Sequence, residues 1–119
     1  MQRGNAYNNL NKITGYWDPH VIASLNGQMV KIARIKGEFT WHAHKDEEEM
    51  FFILKGQLTI HFRNSVERLS EGDYLVIPKG KEHKPVAEEE CWIMLFEPES
   101  TLNTGNEIND FTKKHLKNI

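Results

Sequence analysis

The sequence predicts an all-β fold, a sandwich or barrel of short strands in a single domain, and three observations carry that prediction. β-prone runs recur between turn-forming residues at short spacing, almost nothing between them has helical periodicity, and no repeat or low-complexity linker divides the 119 residues. A chain of this length buries roughly two thirds of its unfolded surface on folding, enough for one core.

The strongest local signal is Val21 to Leu25, then Asn26-Gly27, then Gln28 to Ile35. Asn-Gly readily takes positive φ at both turn positions, so the pair predicts a type I′ hairpin. Residues 1–20 form an N-terminal extension; its Asn-rich first dozen reads as irregular or as a short helical turn. Past Gly37, residues Glu38 to His44 are expected as a strand with Phe39, Trp41 and Ala43 on one face and Thr40, His42 and His44 on the other.

Glu49 to Leu54, Lys55-Gly56 and Gln57 to Phe62 read as a second tight hairpin, with Ile53 opposite Leu58 and Glu49 opposite Phe62. That register points Glu49, Phe51, Ile53, Leu58, Ile60 and Phe62 inward and Met50, Phe52 and Leu54 outward. Gly72-Asp73 marks a turn, Tyr74 to Ile77 a strand, Pro78 to Lys84 a loop, Glu88 to Glu90 a solvated loop, and Cys91 to Phe96 a strand apolar on both faces. The barrel is expected over residues 21–100. A tail, 101–119, follows, in which Asp110 caps a short helix.

Fifteen basic against seventeen acidic residues, a net charge of -2 and no basic stripe argue against nucleic acid. The longest apolar runs, Met50 to Leu54 and Cys91 to Phe96, fall far short of the roughly 20 residues that span a bilayer. The polar first residues lack the pattern of a secretory signal, so a cytoplasmic location is expected. Cys91 is the sole cysteine, which excludes internal disulfides and Cys-based zinc sites; within Cys-Trp-Ile-Met-Leu-Phe it reads as a core thiol.

Chemistry concentrates in a few residues. On a strand, His42 and His44 share a face about 7 Å apart at the backbone, close enough for both rings to bend toward one ion. Glu49 opens the next strand on its inward face and offers a carboxylate oxygen, and His83 offers a third imidazole after the Pro78 to Glu82 loop. Three imidazoles and a carboxylate converging inside a barrel need a partner for their lone pairs and charge, and a divalent cation is one. Glu47 and Glu48 belong to a solvated acidic run, and only Glu49 has the strand parity of a ligand. By the same parity His61 faces out. His20 and His115 read as surface residues.

These spacings resemble those of the cupin superfamily over roughly residues 37 to 96. The first cupin motif is matched by Gly37, His42-Ala43-His44, Glu49 and Gly56, the second by Gly72, Pro78, Gly80 and His83. Two positions depart from the pattern: Gly37 stands four residues before His42 where five is usual, and Ala87 occupies a place often taken by Asn. The segments Pro78 to Glu90 and Thr101 to Asn106 also resemble compact cupins sometimes labelled sugar-phosphate isomerase-like, an analogy of fold that says little of substrate. The resemblance implies a double-stranded β-helix, or jelly-roll barrel, with His42, His44, Glu49 and His83 holding one divalent transition-metal ion. Zn, Mn, Fe, Ni and Cu all suit three histidines and a carboxylate.

The expected function is therefore to bind or act on a small polar molecule at a metal inside the barrel. Enzymatic versions are a sugar or keto-acid isomerase and a dioxygenase; the other version is a non-catalytic binding module, and a purely structural role is the least supported. Thr40, Phe51, Ile60, Phe62 and Phe96 are the residues expected to meet the ligand, and Trp41, Tyr74 and Trp92 are further aromatics of the strands. Glu47, Tyr74 and Glu82 are acid/base candidates by type alone. The outward apolar side chains Met50, Phe52 and Leu54 need a cover. A homodimer would supply one, and the chain's own Leu10, Ile13, Tyr16 and Trp17 would supply another.

Overall fold

The computed structural model describes residues 1–101, 104–105 and 116–119. A five-residue helix, α1 (Ala6–Leu10), is capped by the Asn5 side chain, which accepts from the Asn8 N–H at 3.0 Å. Among the described residues eight strands follow: β1 (His20–Leu25), β2 (Gln28–Glu38), β3 (Glu49–Lys55), β4 (Gln57–Phe62), β5 (Val66–Ser70), β6 (Tyr74–Ile77), β7 (His83–Pro98) and β8 (Lys117–Asn118). The expected hairpin between β1 and β2 is present: Leu25 pairs with Gln28, and Asn26 and Gly27 have φ of 51° and 76°, both positive as a type I′ turn demands.

β7 organises the jelly roll. One edge pairs with β2 along almost its whole length; the other pairs with β4 through His83 to Val86 and then with β3 through Trp92 to Phe96. Two arms thus leave one strand, β4 and β5 from its first half, β3 and β6 from its second. Glu88 to Glu90, expected as a solvated loop, instead lie within β7, where the ladder shifts register between Ile35 and Gly37 of β2. Gly37 has φ +85° at that shift and pairs with Ala87, so the two departures from the motif pattern lie opposite one another.

Lys55-Gly56 is not a hairpin. β3 and β4 do not pair with each other; the chain passes from one arm to the other, and both strands pair with β7. A Cβ at Gly56 would stand 2.8 Å from the Glu90 carbonyl oxygen and 3.2 Å from the Cys91 Cα, so this glycine permits a close crossing of two backbones rather than a two-residue turn. The inward set survives the change because alternation holds within each strand and shifts by one residue at the crossing: Glu49, Phe51, Ile53, Leu58 and Ile60 are all buried. They pack with Ile35, Leu69, Ile77, Cys91, Ile93 and others as the barrel core.

A second cluster lies on the outer face of the sheet. Leu10 and Ile13 of the N-terminal segment pack on Ile32, Leu54 and Trp92, with Phe52 and Met94 at the margin. Part of the outward apolar surface is therefore covered by the chain itself. The helix expected from Asp110 falls mostly on residues outside those described, and at its expected end Lys117 and Asn118 form β8, parallel to His20 and Val21.

Candidate metal centre

Residues 39–48 contain no regular strand, contrary to the expected strand from Glu38 to His44. A single bridge holds the segment: His42 and His83 exchange backbone hydrogen bonds, N–H to O, at 3.0 and 2.9 Å. Those bonds bring the two imidazoles to a centroid separation of 4.2 Å. His44 is anchored through its carbonyl, which accepts from the Gly80 N–H at 2.8 Å. Gly105, outside both motifs, lies so close to Ala43 that a Cβ there would collide with its carbonyl, which seats the Thr104-Gly105 turn against the dipeptide link between His42 and His44.

The result is one buried cluster. A ligand atom from each of His42, His44, Glu49 and His83 lies within 4.8 Å of the others. Glu49 Oε1 stands 3.4 Å from His44 Nε2 and 3.7 Å from His83 Nε2, longer than a good hydrogen bond. Ligand atoms about 2.0–2.2 Å from a shared ion lie roughly 3 to 4 Å from each other, so the set needs little contraction to close on a metal.

The free nitrogens point the same way. His42 Nδ1 is 2.9 Å from the Thr40 carbonyl and His83 Nδ1 is 2.9 Å from the Lys81 carbonyl, contacts that suit N–H donors and leave Nε2 as the lone pair directed inward. Both nitrogens of His44, Nε2 of His83 and Oε1 of Glu49 are buried with no hydrogen-bond partner. Unsatisfied buried atoms gathered in one spot would be costly without a cation to use them, so the residues fit a metal ion.

Electrostatics prepares the same state. Burial and the neighbouring His83 push His42 down to about 4, so it is neutral at pH 7, the form that ligates. Burial alone would raise the Glu49 carboxyl, but the neighbouring Glu97 carboxyl and the nearby imidazoles of His44 and His83 hold it well below the usual carboxylate range. Glu97 takes the opposite course. Burial and the charge of Glu49 push it well up against the pull of Lys31, whose Nζ is 2.8 Å from Glu97 Oε1. The two buried carboxyls are thus pushed in opposite directions.

A family model described as a cupin domain matches residues 29–96, more than half of the chain and all four candidate ligands. The chain belongs to the cupin family. It is similar to the crystal structure of a cupin-2 domain containing protein from Shewanella frigidimarina, with 44% identity and a TM-score of 0.78 over 79% of this chain and 92% of that one. A second similar structure is protein NMB1881 from Neisseria meningitidis, at 26% identity and a TM-score of 0.76 over 82% of this chain and 99% of that one. Among curated proteins, YdbB of Bacillus subtilis, described as an uncharacterized protein, is 39% identical over 64 residues, which are 53% of this chain and 57% of that relative. The match thus spans little more than half of YdbB.

Beside the cluster the cupin barrel holds a cavity with about 400 Å³ of empty space, its open mouth included. His42 and Glu49 reach it. Of the residues expected to meet a ligand, Phe51 lines it, while Ile60 and Phe62 point inward but lie away from it, Phe62 with its ring 6.4 Å from that of His83. Thr40 is not in the cavity; its part is the carbonyl that orients His42. Phe96 faces the outside, where it pairs with Val30 and Met50. A strand apolar on both faces gave no parity to read; the register places Ile93 and Leu95 inward instead. Trp41 lies under the Arg63 guanidinium at 3.9 Å, Trp92 is in the outer cluster and Tyr74 is exposed.

Several residues that shape the site carried no motif. Trp17, Pro19 and Phe39 line the cavity; Trp17 and Pro19 belong to the N-terminal extension, and Phe39 was expected on the face opposite His42. Lys31 and Glu97 were also missed. A signal for Lys31 existed: in β2 it shares parity with Ala33 and Ile35, so a charged side chain was written into an inward apolar row.

Proposed function

We propose that this cupin binds one divalent transition-metal ion through His42, His44, Glu49 and His83 and uses it to hold a small molecule in the adjoining cavity. The observation that carries the reading is the buried set of four ligand atoms within 4.8 Å of one another, with His44, Glu49 and His83 each leaving a buried atom without a hydrogen-bond partner. A bound divalent ion would supply a Lewis-acid or redox centre there. The chain's own part is to keep His42 neutral, to hold Glu49 ionised, and to fix two imidazoles through the Thr40 and Lys81 carbonyls.

Capture of the molecule, or a reaction confined to groups held at the ion, is favoured over sugar or keto-acid isomerisation. Moving a proton between carbons needs a separate acid/base group. Of the candidates by type, Glu47 accepts from Ser100 Oγ, Glu82 pairs with Arg63, and Tyr74 is exposed on the outer face. Among the described residues, His42 and Glu49 are the only titratable groups lining the cavity. The protein is also proposed to be cytoplasmic, in keeping with the unpaired, buried thiol of Cys91.

The test is metal analysis after incubation with Mn, Fe, Ni, Cu or Zn and exhaustive dialysis. Wild type is expected to retain about one ion per chain, and His44→Ala to lose most of it. Wild type emerging free of every metal would overturn the reading.

A further inference from the structure

We propose, resting on the metal reading above, that the ligand has a compact apolar body and a single metal-chelating head, and that Trp17 closes over that body. The walls carry the argument. Trp17, Phe39 and Phe51 supply aromatic surface, and Ile35, Ile93 and Leu95 supply aliphatic surface. Polar side chains reach the cavity only at the end formed by His42 and Glu49, and no Lys or Arg lines it among the described residues.

A phosphate or polyhydroxyl body placed there would lose its water and find no donors or acceptors in return. Leaving those groups unpaired rejects such ligands more strongly than shape could. Nearby cations are already committed: Lys31 to Glu97, Arg34 to Glu90 and Lys84 to Glu38. An apolar body makes dispersion contacts with the walls and presents its polar head to the ion. The enclosed part of the cavity is small, so the body is compact.

Trp17 is held in place at an energetic cost. Its φ is +56°, a left-handed conformation that a bulky side chain rarely takes. Three contacts impose it: the Trp17 N–H donates to the Arg34 carbonyl at 3.0 Å, its Nε1 donates to the Lys36 carbonyl at 2.9 Å, and its ring stacks on Phe39 at 4.7 Å and 22°. Strain of this kind persists where the surroundings over-determine it, and it concentrates at ligand clamps. Trp17 is half-buried, one of its surroundings being the cavity. A ring-shaped ligand body would stack where the indole and Phe39 already define a flat wall.

The experiment uses Ni(II)-loaded protein and three probes: benzohydroxamate, acetohydroxamate, which has the same chelating head without the ring, and glucose 6-phosphate. Titration calorimetry is expected to show benzohydroxamate binding at least tenfold more tightly than acetohydroxamate, with no heat from glucose 6-phosphate. Benzohydroxamate should also change the tryptophan fluorescence. In Trp17→Ala the advantage of the ring should fall below threefold and the fluorescence change should vanish. Nickel content is measured on the same samples. Equal affinities for the two hydroxamates in nickel-loaded wild type, or a preference for glucose 6-phosphate, would overturn the apolar-ligand inference and leave the metal reading standing. Failure of wild type to take up nickel or any other divalent ion would overturn both. The wild-type comparison decides the ligand class even if Trp17→Ala does not fold.

Discussion

Lys31 Nζ lies 2.8 Å from Glu97 Oε1, with side-chain exposures of 2% and 1%, and the charge of Glu49 at the candidate metal centre acts on the same Glu97 carboxyl. A lysine sealed in a barrel is tolerated only because a carboxylate charge faces it. The pair balances charge inside the barrel.

Lys31→Met breaks that balance and leaves a buried negative charge without its cation. Metal-free protein carrying this change is expected to lose about 3 kcal/mol in urea unfolding. Lys31→Met combined with Glu97→Leu should recover most of the loss, because removing both partners strands neither. A double variant no more stable than Lys31→Met would show that the pair matters through packing rather than charge.

Among the six histidines three are candidate ligands, and one of these can be compared directly with one of the others. His61 sits on the outer side of β4, opposite Val66 and Lys84, whereas His83 is fully buried in the cluster. His83→Ala should lower zinc affinity at least a hundredfold in competition with a chelator, and His61→Ala should leave it within about twofold. Comparable losses from the two would place His61 in the site and refute the strand parity.

How much of this was legible in the sequence can be argued residue by residue. Glu49 was legible as a candidate ligand because parity is a local property, whereas His42, His44 and His83 were legible from motif spacing, since residues 39–48 hold no regular strand. Glu49, Phe51, Ile53, Leu58 and Ile60 alternate in the chain whether or not their strands pair with each other. Strand partners were not legible: Lys55-Gly56 looks like a hairpin turn, yet both flanking strands pair with β7, and nothing local encodes a partner 21 to 46 residues away. The cavity was legible only in part. Phe51 followed from parity, whereas Ile93 and Leu95 lie in a run apolar on both faces, and Trp17 comes from a segment with no periodicity.

The two kinds of glycine should respond differently to alanine. Gly72 has φ +88° and nothing within 4 Å of the place a Cβ would take, so Gly72→Ala costs only backbone strain, about 1 kcal/mol. Gly56 has φ +85° and also faces the β7 backbone at 2.8 Å. Gly56→Ala must move that backbone as well, and is expected to cost more than about 3 kcal/mol. Similar midpoints for both variants in denaturant would mean that the two backbones cross with room to spare.

Glu90 gives the fold a pH dependence away from the metal centre. Hydrogen bonds from Arg34, Trp92 and Tyr16 hold its carboxyl down to about 2. A folded-state value below the unfolded one means that the stabilisation is complete above about pH 4.5 and is lost as pH falls from there toward 2. Its side chain keeps 29% exposure, so solvent screening limits the contribution to about 1 kcal/mol. Glu90→Gln should melt a few degrees below wild type at pH 7, and the gap should narrow at pH 3. A gap that widened on acidification would reverse the assigned sign.

Oligomeric state follows from what the N-terminal segment leaves uncovered. Leu10 and Ile13 lie over Leu54, Trp92 and Ile32, so the half of the outer face nearest them is satisfied within the chain. At the other end Tyr74 pairs with Phe52 and Val76 with Met50, and these pairs share the outer face. Tyr74 is 69% exposed and Val76 49%, large apolar side chains on a sheet with no cover from the described residues of this chain. A second copy meeting this face about a two-fold axis would cover it, since the same patch then serves both sides. This arrangement needs no exchange of N-terminal strands, because each segment already packs on its own barrel. The expected outcome is a particle of twice 13.9 kDa by light scattering at micromolar concentration. Val76→Glu is the sharper variant than a change at Phe52, which is packed against the N-terminal cluster and would confound folding with assembly. Val76→Glu should halve the mass without lowering metal content. Wild type running at 13.9 kDa would sink the dimer and leave the folded-back segment as the only cover.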